Sequence, residues 1–219
     1  TPRPGNAKFK KLTPVDPNST NPYQLTEADR TVIGNTTPKF SGGFGLNATY
    51  KGFDMSMFFN FMYDFDVLNA NKIMLTTWAD NKENNFLMDI ASDKRWRNFD
   101  DMGNEIRYSP EVLAEFNKNA TMWNPTSIGR PICMSYAVED GSFLRLNSAT
   151  LGYTLPSVWT KKVGLSKVRF YVSGNNLFTL TGYSGYDPEV NIATGLTPNI
   201  DYNRYPRSRT YTFGAQLTF

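Results

Sequence analysis

Ser208-Arg209-Thr210-Tyr211-Thr212-Phe213-Gly214-Ala215-Gln216-Leu217-Thr218-Phe219 closes the sequence and alternates from Thr210 onward. Side chains of an extended strand point to opposite faces in turn. Tyr211, Phe213, Ala215, Leu217 and Phe219 therefore share one face, and Thr210, Thr212, Gly214, Gln216 and Thr218 share the other. Two surroundings give such a strand: a soluble core under one face, or lipid against one face and a water-filled lumen against the other. Chain ends fray unless something holds them, and a strand running to an aromatic last residue fits the second surrounding better. The stretch predicts the closing strand of a transmembrane β-barrel.

The bulk composition agrees. The chain has 219 residues and is 15% aromatic, yet its mean hydropathy is −0.46. Bulky apolar side chains thus sit among many polar ones, as alternating strands between polar loops require. No apolar run approaches the roughly 18 residues of a spanning helix, and barrels leave no such run. The net charge is +3, and Lys8, Lys10 and Lys11 form the one tight basic cluster, which reads as a solvated face; no nucleic-acid partner is expected. Cys133 is the sole cysteine, so no intrachain disulfide is available. Histidine is absent, which removes the commonest general base, the commonest metal ligand and every His-dependent triad. The opening Thr1-Pro2-Arg3-Pro4-Gly5 carries neither initiator Met nor signal peptide and predicts a processed or excised piece.

Taken from the start, residues 1–38 read as a polar loop punctuated by Pro2, Pro4, Pro14, Pro17 and Pro22. Its acids are too sparse for a calcium loop, so no metal site is expected. A strand over 39–50 places Phe40, Phe44, Leu46 and Tyr50 on one face. Lys51-Gly52 has the length of a tight hairpin, and the return strand, 53–63, stacks Phe53, Met55, Met57, Phe59 and Phe61 on one side. The stretch 64–140 is a long insertion with a helix predicted near 66–77 and a second from Ser109-Pro110-Glu111 to about Asn117. Trp78, Trp96 and Trp123 lie within it, either as a ligand or partner surface or as packing for the loop. Strands over 141–154, with a bulge near Asn147-Ser148, 167–181 and 208–219 complete the pattern. Between them lie a short connector at 157–164 and a long loop at 182–207.

These five strands are joined alternately by short and long connections. Outer-membrane barrels have short periplasmic turns, long extracellular loops and even strand numbers. With Phe219 on the periplasmic side, every long connection and residues 1–38 fall outside the cell. Five strands cannot close a barrel of ordinary size, so the reading is an all-β, antiparallel transmembrane sheet belonging to a larger barrel.

Several motifs, in order, then point to a family. They are Asp29-Arg30-Thr31-Val32-Ile33-Gly34-Asn35, Pro38-Lys39-Phe40, Gly42-Gly43-Phe44 and Tyr50-Lys51-Gly52-Phe53-Asp54. They continue with Val138-Glu139-Asp140-Gly141-Ser142-Phe143-Leu144-Arg145-Leu146, Thr150-Leu151-Gly152-Tyr153 and Val172-Ser173-Gly174-Asn175-Asn176-Leu177-Phe178. Gly185-Tyr186-Asp187-Pro188-Glu189 and Tyr205-Pro206-Arg207 complete the set. Together they resemble the C-terminal region of SusC/RagA-type TonB-dependent transporters. The resemblance implies the last five strands of a 22-stranded outer-membrane barrel of a Gram-negative bacterium, with short helices in its long extracellular loops. It implies as partners a plug and the remaining strands, a SusD-like lid lipoprotein, TonB-ExbB-ExbD and outer-membrane lipid. It also implies import of glycans or other oligomeric nutrients, peptides included. Where the family often carries an Asp/Asn/Gly-rich, calcium-like stretch, this chain has Asp16-Pro17-Asn18-Ser19-Thr20-Asn21-Pro22.

The site expectations follow. No catalytic residue, metal or cofactor is expected. Trp78, Trp96, Trp123, Tyr183 and Tyr186 are placed as substrate or lid contacts, and Arg145, Arg169 and Asn175 as lumen-facing, with an ion-pair role open for the arginines. Two other readings compete: a glycosidase fragment using Asp187 and Glu189, and a soluble carbohydrate-binding module using the tryptophans. A soluble module has no reason to place an apolar stripe outward on every strand.

Overall fold

The computed structural model describes residues 3–77, 85–90, 93–129, 131–190 and 198–219. The chain divides into two compact units, Thr1–Ile33 with Asn69–Ala137, and Gly34–Leu68 with Val138–Phe219. The sequence reading did not group residues 1–33 with the body of the 64–140 insertion.

The second unit is built on an antiparallel sheet of five strands. These are β1 (Phe40–Tyr50), β2 (Phe53–Tyr63), β5 (Phe143–Thr154), β6 (Lys167–Thr181) and β8 (Thr210–Thr218), side by side in that order. Lys51 (φ 46°) and Gly52 (φ 88°) both adopt the left-handed region between β1 and β2. A two-residue hairpin with positive φ at both positions matches the right-handed strand twist. Cross-strand register then fixes the faces. Leu46 lies opposite Met57 and Tyr50 opposite Phe53; Phe53 lies opposite Tyr153 and Met57 opposite Ala149. Tyr153 lies opposite Phe170 and Leu151 opposite Val172, and Val172 lies opposite Phe213. The apolar stripes of all five strands coincide on one face. Phe44 and Phe59 stack at 4.9 Å, as do Phe40 and Tyr63, the kind of cross-strand pair that stabilises a sheet.

The register shifts between Leu146 and Ser148, leaving Asn147 unpaired, as the phase change in the sequence predicted. On β6 the compensating irregularity centres on Asn176, whose φ is 53° and whose side-chain amide donates to the carbonyl of Ser208 at 3.1 Å.

A smaller sheet lies at the long-loop end of the same unit, in the order β4 (Val138–Asp140), β3 (Asp66–Asn69) and β7 (Ile200–Asp201). The helix predicted over 66–77 is therefore shorter, Ala70–Met74 (α1), and its first residues are strand. Helical spacing lost to tertiary pairing: Val67 is completely buried, Asp66 pairs with Asp140, and the Asn69 side chain caps the helix by accepting from Lys72 N at 3.1 Å. Phe65, Val67, Phe143, Tyr183 and Val190 form a buried cluster with Met62 against it. Register places Met62 and Phe143 on the sheet face opposite the apolar stripe. The cluster therefore covers the polar face, and the aromatic face is left bare.

The first unit holds α2 (Pro110–Phe116) with Pro at its first helical position. Its best-connected residue is Asp29. That carboxylate accepts from Leu12 N at 2.9 Å, Thr13 N at 2.7 Å, Thr26 N at 2.8 Å and both threonine hydroxyls. Hydrogen bonds that favour the charged form, led by the Thr13 amide and then the Thr26 amide, hold its carboxyl well below the usual carboxylate range. A depressed folded-state value contributes stability above the ordinary carboxylate pKa and loses it as pH falls through the folded value. We expect Asp29→Ala to speed amide exchange at Leu12, Thr13 and Thr26 on the order of tenfold, and the same amides to lose protection in the native chain only under strongly acidic conditions.

Candidate functional site

The polar face of the five-stranded sheet carries the charged groups. Arg169 on β6 grips Asp54 on β2 through two bonds, Nε to Oδ1 at 2.9 Å and Nη2 to Oδ2 at 2.5 Å. The pair spans the intervening β5 at Gly152, whose backbone pairs with Asp54 on one side and Tyr171 on the other. A Cβ there would lie 2.5 Å from Arg169 Nη2 and 2.6 Å from Asp54 Oδ1. Only glycine leaves room for the bridge. Gly152→Val is expected to destabilise the folded protein by roughly 1–3 kcal/mol, the usual cost of overpacking, read from its unfolding midpoint in urea. Restoring stability with Asp54→Ala in the same chain would show that the clash with the pair is the cause.

Nearer the long loops, Arg145 on β5 is 2% exposed. A guanidinium so far from water needs compensation, and the 182–190 segment supplies it. Arg145 Nη2 donates to Asp187 Oδ1 at 2.5 Å and lies 3.6 Å from Glu189 Oε2. Arg207 Nη2 closes the group with Glu189 Oε1 at 2.9 Å. Asp187 also accepts from the Glu189 amide at 2.9 Å, which fixes the turn around the buried Pro188. Arg145 thus stands in ion pairs with Asp187 and Glu189. Asp187 and Glu189 are each paired with a guanidinium group.

Tyr183, expected at a contact surface, is a core residue, 6% exposed. Its hydroxyl donates to Asp201 at 2.7 Å, and burial, followed by that bond, pushes the phenol well above its ordinary value. Tyr186 is the reverse, 84% exposed. Asn175 lies on the polar face opposite Ser148 and Thr210, and Arg169 shares that face. Trp78 lies outside the described residues. In the first unit Trp123 packs edge-on to Tyr136 at 5.0 Å and donates to the Thr76 carbonyl at 3.3 Å. Trp96 packs on Gly5, where a Cβ would meet the indole at 2.3 Å. Both rings are half-buried, and both line an open cavity with Gly5, Lys8 and Met122. Among the described residues no group of His, Cys, Asp and Glu is arranged to hold a metal ion, and no helix is long and apolar enough to cross a membrane.

Sequence reasoning missed Asp29, Asp54 and Arg207. Asp29 carried a signal: it follows Thr26 by three residues, the spacing of a reciprocal cap. Asp54 and Arg207 carried none, because their partners are distant in the chain.

No family model matches the chain. It is 35% identical over 202 residues to the TonB-dependent receptor P3 of Formosa agariphila, a match covering 90% of this chain and 18% of that protein. It is 38% identical over 88 residues to the TonB-dependent receptor SusC of Bacteroides thetaiotaomicron, covering 38% of this chain and 8% of SusC. Among solved structures it resembles the RagAB peptide importer. The open–open state superposes with a TM-score of 0.67 at 24% identity, over 93% of this chain and 20% of that one. The closed–closed state gives 0.66 at 26% identity, over 90% and 19%. The chain thus spans about a fifth of the length of the relatives it matches. In sequence and in sheet, it corresponds to a portion of a TonB-dependent receptor of the SusC/RagA type.

Proposed function

We propose that this chain supplies the last five strands of a 22-stranded outer-membrane barrel, in a transporter that imports oligomeric nutrients, glycans or peptides. One observation carries the membrane reading: the burial is inverted. Phe40, Tyr50, Phe53, Tyr63, Phe170 and Phe213 are all more than half exposed on the apolar face, and Phe213 reaches 81%. The buried cluster lies behind the polar face instead. Eleven residues in β1 rise roughly 36 Å; tilted about 45° they cross roughly 25 Å, the height of a barrel's apolar band. Aromatics sit at both ends of that band, Phe40 with Tyr63 at one and Tyr50 with Phe53 and Tyr153 at the other.

In this reading the polar face lines the lumen, and the Asp54–Arg169 bridge braces it. Residues 1–38 and the loops 64–140 and 182–207 lie outside the cell, under a SusD-like lipoprotein lid, with Tyr186 among the accessible contacts. A plug and TonB-ExbB-ExbD supply gating and energy, and the chain moves substrate without chemistry of its own. The test is migration of the native material in detergent, unboiled and boiled, with mass spectrometry on each band. The sequence should be found in a much larger species whose mobility changes on heating. A water-soluble monomer that migrates alike with and without detergent would refute the proposal.

A further inference from the structure

The β5–β6 connection is longer than a tight turn and lies at the end of the sheet where β1 meets β2. Thr154 N donates to Gly52 O at 2.7 Å, and Ser166 donates to Thr218 O through its amide at 2.8 Å and its hydroxyl at 2.9 Å. The connection forms a helical turn, α3 (Ser157–Thr160), and a 3-10 turn, Lys161–Val163. Thr160 is buried beneath it, but Val158 is 68%, Trp159 60% and Val163 70% exposed. A compact turn that buries a threonine while presenting Trp and two valines has its apolar side chains unpartnered.

Charge at this end is one-sided. Lys161, Lys162 and Lys167 are exposed, and Lys51 stands over the Tyr50 ring at 5.2 Å. Across residues 50–54, 153–170 and 215–219 the one acidic side chain is Asp54, which Arg169 already holds. The lysines flank the end of the apolar face where Tyr50, Phe53, Tyr153 and Phe170 sit. Trp and Lys side by side, continuous with an apolar band, match the chemistry of a membrane interface, where indole sits at headgroup level and ammonium groups meet anionic lipid. We propose that the 156–167 turn is an anchoring site for anionic phospholipid headgroups in the periplasmic leaflet, Trp159 entering the interface and Lys161 and Lys162 contacting phosphate.

This rests on the barrel reading, and the experiment separates the two. The whole receptor carrying this segment is placed in nanodiscs of phosphatidylethanolamine with phosphatidylglycerol, and retained phosphatidylglycerol is counted by native mass spectrometry. A nitroxide at Phe213→Cys, in a Cys133→Ser background, reports whether the sheet face is in lipid. With roughly 1 kcal/mol per lysine at an anionic surface, each of Lys161→Gln and Lys162→Gln should cut phosphatidylglycerol retention about fivefold, while Lys8→Gln leaves it unchanged. Trp159→Ala should weaken retention without altering heat-modifiable mobility. If the nitroxide is in lipid and the lysine variants retain as much phosphatidylglycerol as the native chain, the anchor is refuted and the barrel stands. If the nitroxide is in water, the barrel reading fails and takes the anchor with it.

Discussion

Leu46→Arg is expected to destabilise the receptor carrying this segment by about 2–4 kcal/mol, the cost of a cation near the middle of a lipid-facing barrel wall, whereas Asn47→Arg is expected to be nearly neutral. Leu46 lies midway along β1 and is 52% exposed on the apolar face. Asn47 is its neighbour on the polar face, opposite Ser56. The two changes add the same side chain one residue apart, so strand propensity and edge position cancel and only the surroundings of each face remain. Reversible urea unfolding in lipid vesicles gives both values. On a soluble sheet the two would differ little, since both positions would meet water.

The second large effect belongs to the buried ion pairs. Arg145→Met removes the cation that Asp187 and Glu189 face, and leaving a buried charge uncompensated costs about 3–5 kcal/mol. Arg207→Met should cost under about 1 kcal/mol, because that side chain is 44% exposed and solvent screens it. Removing Asp187 and Arg145 together should cost less than the sum of the single changes, since the two act as one unit. The same urea experiment reads all three. Loss of the Arg145 clamp should also release the 182–190 segment from the polar face, seen as faster amide exchange at Glu189, whose N–H donates to Asp187.

The strands were legible because their signal is local. A period of two runs through β1 and β8 and through most of β2, and the Lys51-Gly52 hairpin and the Asn147 bulge announce themselves by a glycine and by a change of phase. The 66–69 strand was not legible. Val67, Ala70 and Met74 keep helical spacing, and only pairing with residues 138–140 and 199–201 makes that stretch extended. The sites divide the same way. Arg145 and Arg169 stood out as charges inside strands. Their partners, Asp187 and Asp54, lie 42 and 115 residues away in the chain, so no spacing rule links them. Tyr183 and Tyr186 look alike in sequence, yet one is core and the other surface, a difference set by the cluster of Phe65, Val67, Phe143 and Val190 around Tyr183 and by the Asp201 carboxylate that its hydroxyl meets.

In the proposed barrel the aromatic face meets lipid and the polar face meets water. A nitroxide scan of residues 44–50 in the membrane-embedded receptor tests it most directly, comparing collision with oxygen, which concentrates in lipid, with collision with a water-soluble nickel chelate. Oxygen accessibility should peak at positions 44, 46, 48 and 50 and nickel accessibility at 45, 47 and 49. Equal nickel accessibility at all seven positions would contradict it.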